Sequence, residues 1–99
     1  MVYINWTLQA KSDLKNIADF IANDSIKYAR IHILKIRKLT EILKTHPQIG
    51  RIVEELEKPD IRELVYRNYR IIYKIVSEDR VDILTVHHSA RDLKGRKIK

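Results

Sequence analysis

Two hydrophobic periods divide this chain. Over residues 8–43 apolar side chains recur every three or four positions, and over residues 61–87 they alternate every second position. The first spacing draws one apolar stripe along a helix; the second gives a strand one apolar side. Each of those surfaces needs a partner layer. The chain is therefore restricted to an α+β fold in which early helices cover a late sheet.

Punctuation sets the elements. Val2, Ile4 and Trp6 alternate with Tyr3 and Asn5, which predicts a short strand at 2–6. Thr7 is placed to cap a helix that carries Ala10, Leu14, Ile17, Ala18 and Ile21 on one face. Asn23-Asp24-Ser25 stops it, and Ser25 caps a second helix with the stripe Ile26, Ala29, Ile33, Ile36, Leu39 and Leu43. Pro47 closes that helix, because the residue before a proline is pushed out of the α region. Residues 47–60 (PQIGRIVEELEKPD) form the connector, made locally acidic by Glu54, Glu55 and Glu57. Strands follow at 61–66, 69–76 and 81–87. Arg67-Asn68 joins the first two, with Asn supplying the positive φ of a tight hairpin, and a polar turn at 77–80 joins the last two. The predicted architecture is an N-terminal strand, an α-helical hairpin and a three-stranded antiparallel meander. It forms one sheet with the hairpin packed on one face, in a single domain 1–99 that ends in a basic tail, 91–99.

Charge narrows the partners. Twenty Lys and Arg against thirteen Asp and Glu leave a net +7, which favours an acidic partner such as nucleic acid, anionic lipid or an acidic protein. The absence of cysteine excludes a disulfide framework and a thiolate metal site. The opening MVYINW lacks the basic-then-apolar pattern of a signal peptide, and no apolar run approaches the ~18 residues of a membrane span. A cytoplasmic chain without a membrane partner is expected. No metal or cofactor is expected either: His87 and His88 are adjacent on a strand, point to opposite faces and cannot chelate one ion together.

Strict alternation assigns the faces of the meander. It groups Tyr69, Ile71, Tyr73 and Ile75 against Arg70, Ile72, Lys74 and Val76, and Val81, Ile83, Thr85 and His87 against Asp82, Leu84, Val86 and His88. The hairpin covers one face. The other is expected to stay open, with apolar and cationic side chains that suit a binding surface; cover by a dimer partner is the alternative. Arg70 is expected to face outward to a partner. Its structural alternative is a cross-strand pair with Glu63 or Asp82, contributing about 0.2–1 kcal/mol. Arg67 is assigned to the turn and Arg62 stays open between the two roles. Trp6 is expected in the core, and Asp13 and Asp19 on the solvated side of the first helix.

A set of short motifs runs through this frame in order. Trp6, Ala10, Asp13-Leu14 and Ile17 give W-x3-A-x2-DL-x2-I, followed by Asp24-Ser25 and by Pro47, Gly50 and Arg51 as P-x2-G-R. IREL at 61–64, YRIIY at 69–73 and V-x-H-x-A-R-D-L at 86–93 complete it. Together they resemble the RelE/ParE toxin superfamily over nearly the whole chain, with the ParE branch closer. The resemblance implies a RelE/ParE-like domain that serves as the toxin of a type II toxin–antitoxin, or plasmid stabilisation, module. It also implies neutralisation by a cognate acidic antitoxin that wraps around the toxin, with a toxin–antitoxin heterotetramer as a compatible assembly. ParE-like members inhibit DNA gyrase by binding it and are not nucleases. RelE-like members are ribosome-dependent endoribonucleases, or mRNA interferases.

The resemblance also assigns residues. Arg70 matches the arginine of the YR-x2-Y strand and Arg91 the arginine after the last strand, and guanidinium groups can fork onto a phosphate. If the chain is a nuclease, Arg70, His87, His88 and Arg91 form its metal-independent site, with the histidines exchanging protons near neutral pH. As a target- or anion-binding set the expectation is Arg62, Arg70, Arg91, Arg96 and Lys97. Two departures favour the ParE side. Arg62-Glu63 stands where the RelE-like pattern has paired lysines, and Glu63 opposes a nearby anion. Gly95-Arg96-Lys97 stands where that pattern has a tyrosine. Gyrase inhibition is thus the leading expectation and mRNA cleavage the alternative. The antitoxin is expected to lay a helix on the 8–46 hairpin and to add a strand beside 61–66 or 2–6. A plain nucleic-acid-binding domain has the charge in its favour but lacks a helix-turn-helix or RNP-like aromatic pattern.

Overall fold

The computed structural model describes residues 1–88. Arg91, Arg96, Lys97 and the tail 91–99 lie outside the described residues. The elements are β1 (Tyr3–Trp6), α1 (Leu8–Ala22), α2 (Ile26–Thr40), a 3₁₀ turn (Glu41–Lys44), β2 (Arg51–Ile52), β3 (Ile61–Tyr66), β4 (Tyr69–Ser77) and β5 (Arg80–His88). The strands make one mixed five-stranded sheet in the order β1-β5-β4-β3-β2. β3, β4 and β5 are the expected antiparallel meander. Two pairings go beyond the sequence reading: β1 runs parallel to β5, and β2, inside the connector, pairs antiparallel with β3.

Both predicted caps form. The Thr7 hydroxyl accepts from the Ala10 amide at 3.2 Å and donates to the Ile83 carbonyl at 2.7 Å, so one side chain starts α1 and fastens it to β5. Ser25 accepts from the Tyr28 amide at 3.1 Å. The main core lies between the hairpin and the sheet. Ala10 and Leu14 of α1, Ile36 of α2 and Leu43 meet Ile71, Tyr73, Val81, Ile83 and Val86. Each large aliphatic side chain sealed there contributes about 1.5–3 kcal/mol over its exposed state. Trp6 is partly buried against this core, with the Arg37 guanidinium 5.6 Å from its ring centre.

Four expectations need correction. First, Asp13 is not solvated; it is buried, and its carboxylate accepts from the Thr85 hydroxyl, the Val86 amide and the Gln9 side chain. Asp19 is exposed as expected. Second, the faces of β5 do not alternate strictly. Ile72 opposes Thr85 but Tyr73 opposes Ile83, so Leu84 is an extra residue in the ladder. One inserted residue turns every later side chain to the other face. Val86 therefore joins Val81 and Ile83 in the core, and His87 moves to the far face beside Arg70. Third, the positive φ of the β3–β4 turn falls on Arg67, at 51°, rather than on Asn68.

Fourth, the far face of the sheet is not left open. The connector folds back over it, and Val53 and Leu56 pack with Ile61, Ile72 and Leu84 as a second, smaller core. Its start is pinned at Gly50, whose amide donates to the Tyr73 hydroxyl at 2.9 Å, while that hydroxyl donates to the Pro47 carbonyl at 2.8 Å. Burial raises the Tyr73 hydroxyl's pKa above its ordinary value. A Cβ on Gly50 would sit 2.5 Å from the Tyr73 hydroxyl and 2.7 Å from the Glu63 carbonyl. Backbone cannot yield to such a contact without shifting the strand. Gly50→Ala should therefore lower the unfolding free energy by about 1–3 kcal/mol in a urea titration. An unchanged or raised midpoint would show that the approach is looser than these distances.

Candidate functional site

The connector and the far face of the sheet meet at Arg70. It lies on β4 directly opposite Val65 of β3 and His87 of β5. Its Nη1 and Nη2 donate to the two oxygens of Glu55 at 2.6 and 2.9 Å, and its Nε donates to Glu63 at 2.5 Å. The second oxygen of Glu63 accepts from Arg51 Nε at 2.5 Å. Only 12% of the Arg70 side chain and 3% of Glu63 reach solvent, against 70% of Arg51. The cross-strand pair of Arg70 with Glu63 is formed, and that with Asp82 is not: Asp82 holds Arg80 and Asn5.

Local chemistry explains how Glu55 arrives there. Leu56 and Glu57 amides both donate to the Val53 carbonyl at 3.2 Å, which makes residues 53–57 a single helical turn. Glu57 ends it in the left-handed region, at φ 50°. Val53 and Leu56 anchor the turn in the smaller core, and Glu55 between them extends to Arg70. The Glu55 hydrogen bonds, more than any other influence, raise the Arg70 pKa above its ordinary value, with Glu63 adding to them and burial opposing.

A cavity of about 370 Å³ opens beside this network, lined by Arg51, Ile52, Glu54, Glu55, Glu63 and Arg70. Two guanidinium groups face three carboxylates in that lining. An incoming phosphate would meet a small excess of negative charge and an arginine fork already engaged.

The other candidates are scattered. Arg62, the cross-strand partner of Tyr73, lies on the hairpin side and donates to the Pro59, Gln48 and Gly50 carbonyls at 3.3, 3.1 and 3.0 Å. It ties the two ends of the connector together. His87 is fully buried, and His88 meets Tyr69 edge-on at 5.4 Å. The structure thus brings Arg70 and His87 to one face and separates them from Arg62 and His88. Sequence reasoning missed the parts played by Glu55 and Arg51. The signal was present as an acidic connector preceding an arginine-bearing strand. Among the described residues no group of three or more His, Cys, Asp or Glu side chains is arranged to hold a metal ion, and no helix is long and apolar enough to cross a membrane.

A second surface lies on the helical hairpin. Phe20, Ile26, Tyr28 and Leu34 are each at least 60% exposed. α2 carries Lys27, Arg30, Lys35, Arg37 and Lys38 and no acidic residue. Exposed apolar side chains on a helix whose charges are all positive suit an amphipathic segment with acidic flanks.

Known proteins place this arrangement. A family model described as "ParE toxin of type II toxin-antitoxin system, parDE" matches residues 4–93. Among solved structures, a chain from the chromosomal ParDE toxin–antitoxin system of P. aeruginosa superposes with a TM-score of 0.73 at 20% sequence identity, covering 89% of this chain and 96% of that one. At that identity the likeness is one of fold. No curated protein matches the chain.

Proposed function

The chain belongs to the ParE toxin family of type II toxin–antitoxin systems, and from that premise we propose that it inhibits DNA gyrase by binding it and is silenced by a cognate acidic antitoxin. The observation that carries the gyrase reading over RNA cleavage is the state of Arg70. Metal-free cleavage of RNA needs free cations on the scissile phosphate and a titratable group within reach of the reacting oxygens. Arg70 instead spends its fork on Glu55 and its Nε on Glu63, and His87 is sealed from solvent. The antitoxin reading rests on the hairpin surface, where Phe20, Ile26, Tyr28 and Leu34 stand exposed beside the cations of α2.

Purified chain added to DNA gyrase and relaxed plasmid tests this directly. Supercoiling should fall as the chain is added, with cleaved gyrase–DNA complexes accumulating, while a translation extract supplied with the same chain should keep its mRNA intact. Undiminished supercoiling together with mRNA cut on the ribosome would overturn the proposal in favour of an mRNA interferase. For the antitoxin, a synthetic acidic amphipathic helix should bind the wild-type chain and lose affinity when Phe20 and Leu34 are both replaced by serine. Equal affinity would remove the hairpin surface from the account.

A further inference from the structure

We propose that Glu55 is a tethered anion that occupies a latent oxyanion seat on Arg70, so that residues 53–57 act as a built-in competitor against phosphate. A carboxylate on Nη1 and Nη2 at 2.6 and 2.9 Å makes the two-point fork that a phosphate oxyanion would make on the same guanidinium. Arg70 is otherwise positioned independently of Glu55. Its backbone is held within β4, and its Nε is fixed by Glu63, itself steadied by Arg51. Removing Glu55 therefore leaves the fork aimed where it was, facing a cavity of about 370 Å³ with Arg51 on its rim.

The competitor is also unlike a permanent strut. Arg70 and Glu63 are nearly sealed, but the Glu55 side chain is 29% exposed. The turn that carries it is a single one, held within itself by two bonds to one carbonyl and anchored to the smaller core by Val53 and Leu56. Displacing the Glu55 side chain leaves those anchors in place and removes the turn's polar attachment to the sheet. The ligand class is a tetrahedral phosphate oxyanion, either free phosphate or the phosphodiester of a nucleic acid. The inference concerns the same Arg70 fork that carries the gyrase proposal, but its readout is anion binding by the isolated chain, which gyrase inhibition does not require, so either can fail while the other holds.

The test uses ¹⁵N-labelled full-length chain, with the backbone amide resonances of residue 70 and of its cross-strand neighbours Val65 and His87 as reporters. Wild type and Glu55→Ala are titrated with inorganic phosphate and, separately, with a short single-stranded RNA. Removing a like charge at contact distance should tighten oxyanion binding about tenfold or more. The gain should disappear in Glu55→Ala/Arg70→Lys, which lacks the fork. A response to phosphate alone marks a small-anion seat, and a response to RNA alone a phosphodiester seat. Equal binding by wild type and Glu55→Ala would overturn the proposal. Should the variant fail to fold, the wild type decides. Phosphate must then speed hydrogen exchange at the Leu56 and Glu57 amides relative to chloride of equal ionic strength, and identical exchange in the two salts overturns it.

Discussion

Arg70→Ala is expected to lower the unfolding free energy by about 3–5 kcal/mol, a large part of what a domain of this size possesses. The loss comes from what the substitution leaves behind. Glu63, with 3% of its side chain exposed, keeps only Arg51 as a cation, and Glu55 faces it across the emptied position. The turn over the smaller core loses its polar attachment, so Val53 and Leu56 loosen with it. Arg70→Lys should cost less but not nothing: one ammonium keeps the charge yet cannot reproduce a three-bond fork. Replacing the group together, with Arg70→Met, Glu63→Leu and Glu55→Ala, should recover most of the loss, because a buried ionic cluster is strongly destabilising when broken and near neutral when removed whole. Urea titrations of the three variants check the order. A loss below about 1 kcal/mol for Arg70→Ala would place the network among surface ion pairs. Function separates the readings further. A folded Arg70→Lys chain should still inhibit gyrase, whereas a catalytic phosphate clamp would lose about 10²-fold or more of its cleavage rate.

The second large effect is expected at Asp13. β1 ends at Trp6 opposite Ile83, so β5 runs on past its parallel neighbour. The Thr7 amide takes the Ile83 carbonyl at 3.2 Å, and the Asp13 carboxylate takes the Val86 amide at 3.1 Å together with the Thr85 hydroxyl. One side chain on α1 thus finishes the strand edge that β1 leaves bare, and seats the helix on the sheet. Asp13→Ala strands a buried backbone amide and a hydroxyl, at about 1–3 kcal/mol for each group left without a partner. A total of about 2–6 kcal/mol is expected, with faster hydrogen exchange concentrated at Val86. Asp13→Asn can set its one oxygen in the place of Oδ2 and keep both buried bonds, losing only the Gln9 contact, so it should cost well under half as much. Equal losses in the two variants would mean that the charge, and not the hydrogen bonds, holds the helix.

These two clusters mark where legibility stopped. The W-x3-A-x2-DL spacing pointed to Asp13, but helical periodicity alone placed it among the solvated residues. It sits at the edge of the stripe, with Ala10 and Ile17 on one side of the wheel and Gln9 and Asn16 on the other, and its buried partners lie more than seventy positions away, at Thr85 and Val86. The alternative pairing of Arg70 with Glu63 could be read from strand register. Its fork onto Glu55 could not, because nothing local fixes how a connector with one glycine and two prolines folds. The misassigned faces of β5 have one cause, the extra residue at Leu84. A bulge leaves no trace in a period-two pattern whose both sides are partly apolar.

Local chemistry was enough for the helices, their caps and the three strands of the meander, though not for which turn residue takes the positive φ. Apolar spacing determined helix and strand, Thr7 and Ser25 determined where the helices begin, and the chain of motifs from Trp6 to Leu93 determined the toxin family. Tertiary structure alone decided which strand β1 would lie beside, that the connector would close the far face, and that Arg70 would meet two carboxylates. Those outcomes turn on contacts between residues distant in sequence, whose energies depend on burial and on mutual distance. A sequence states the charges; only the fold states how far apart they are and how much water lies between them.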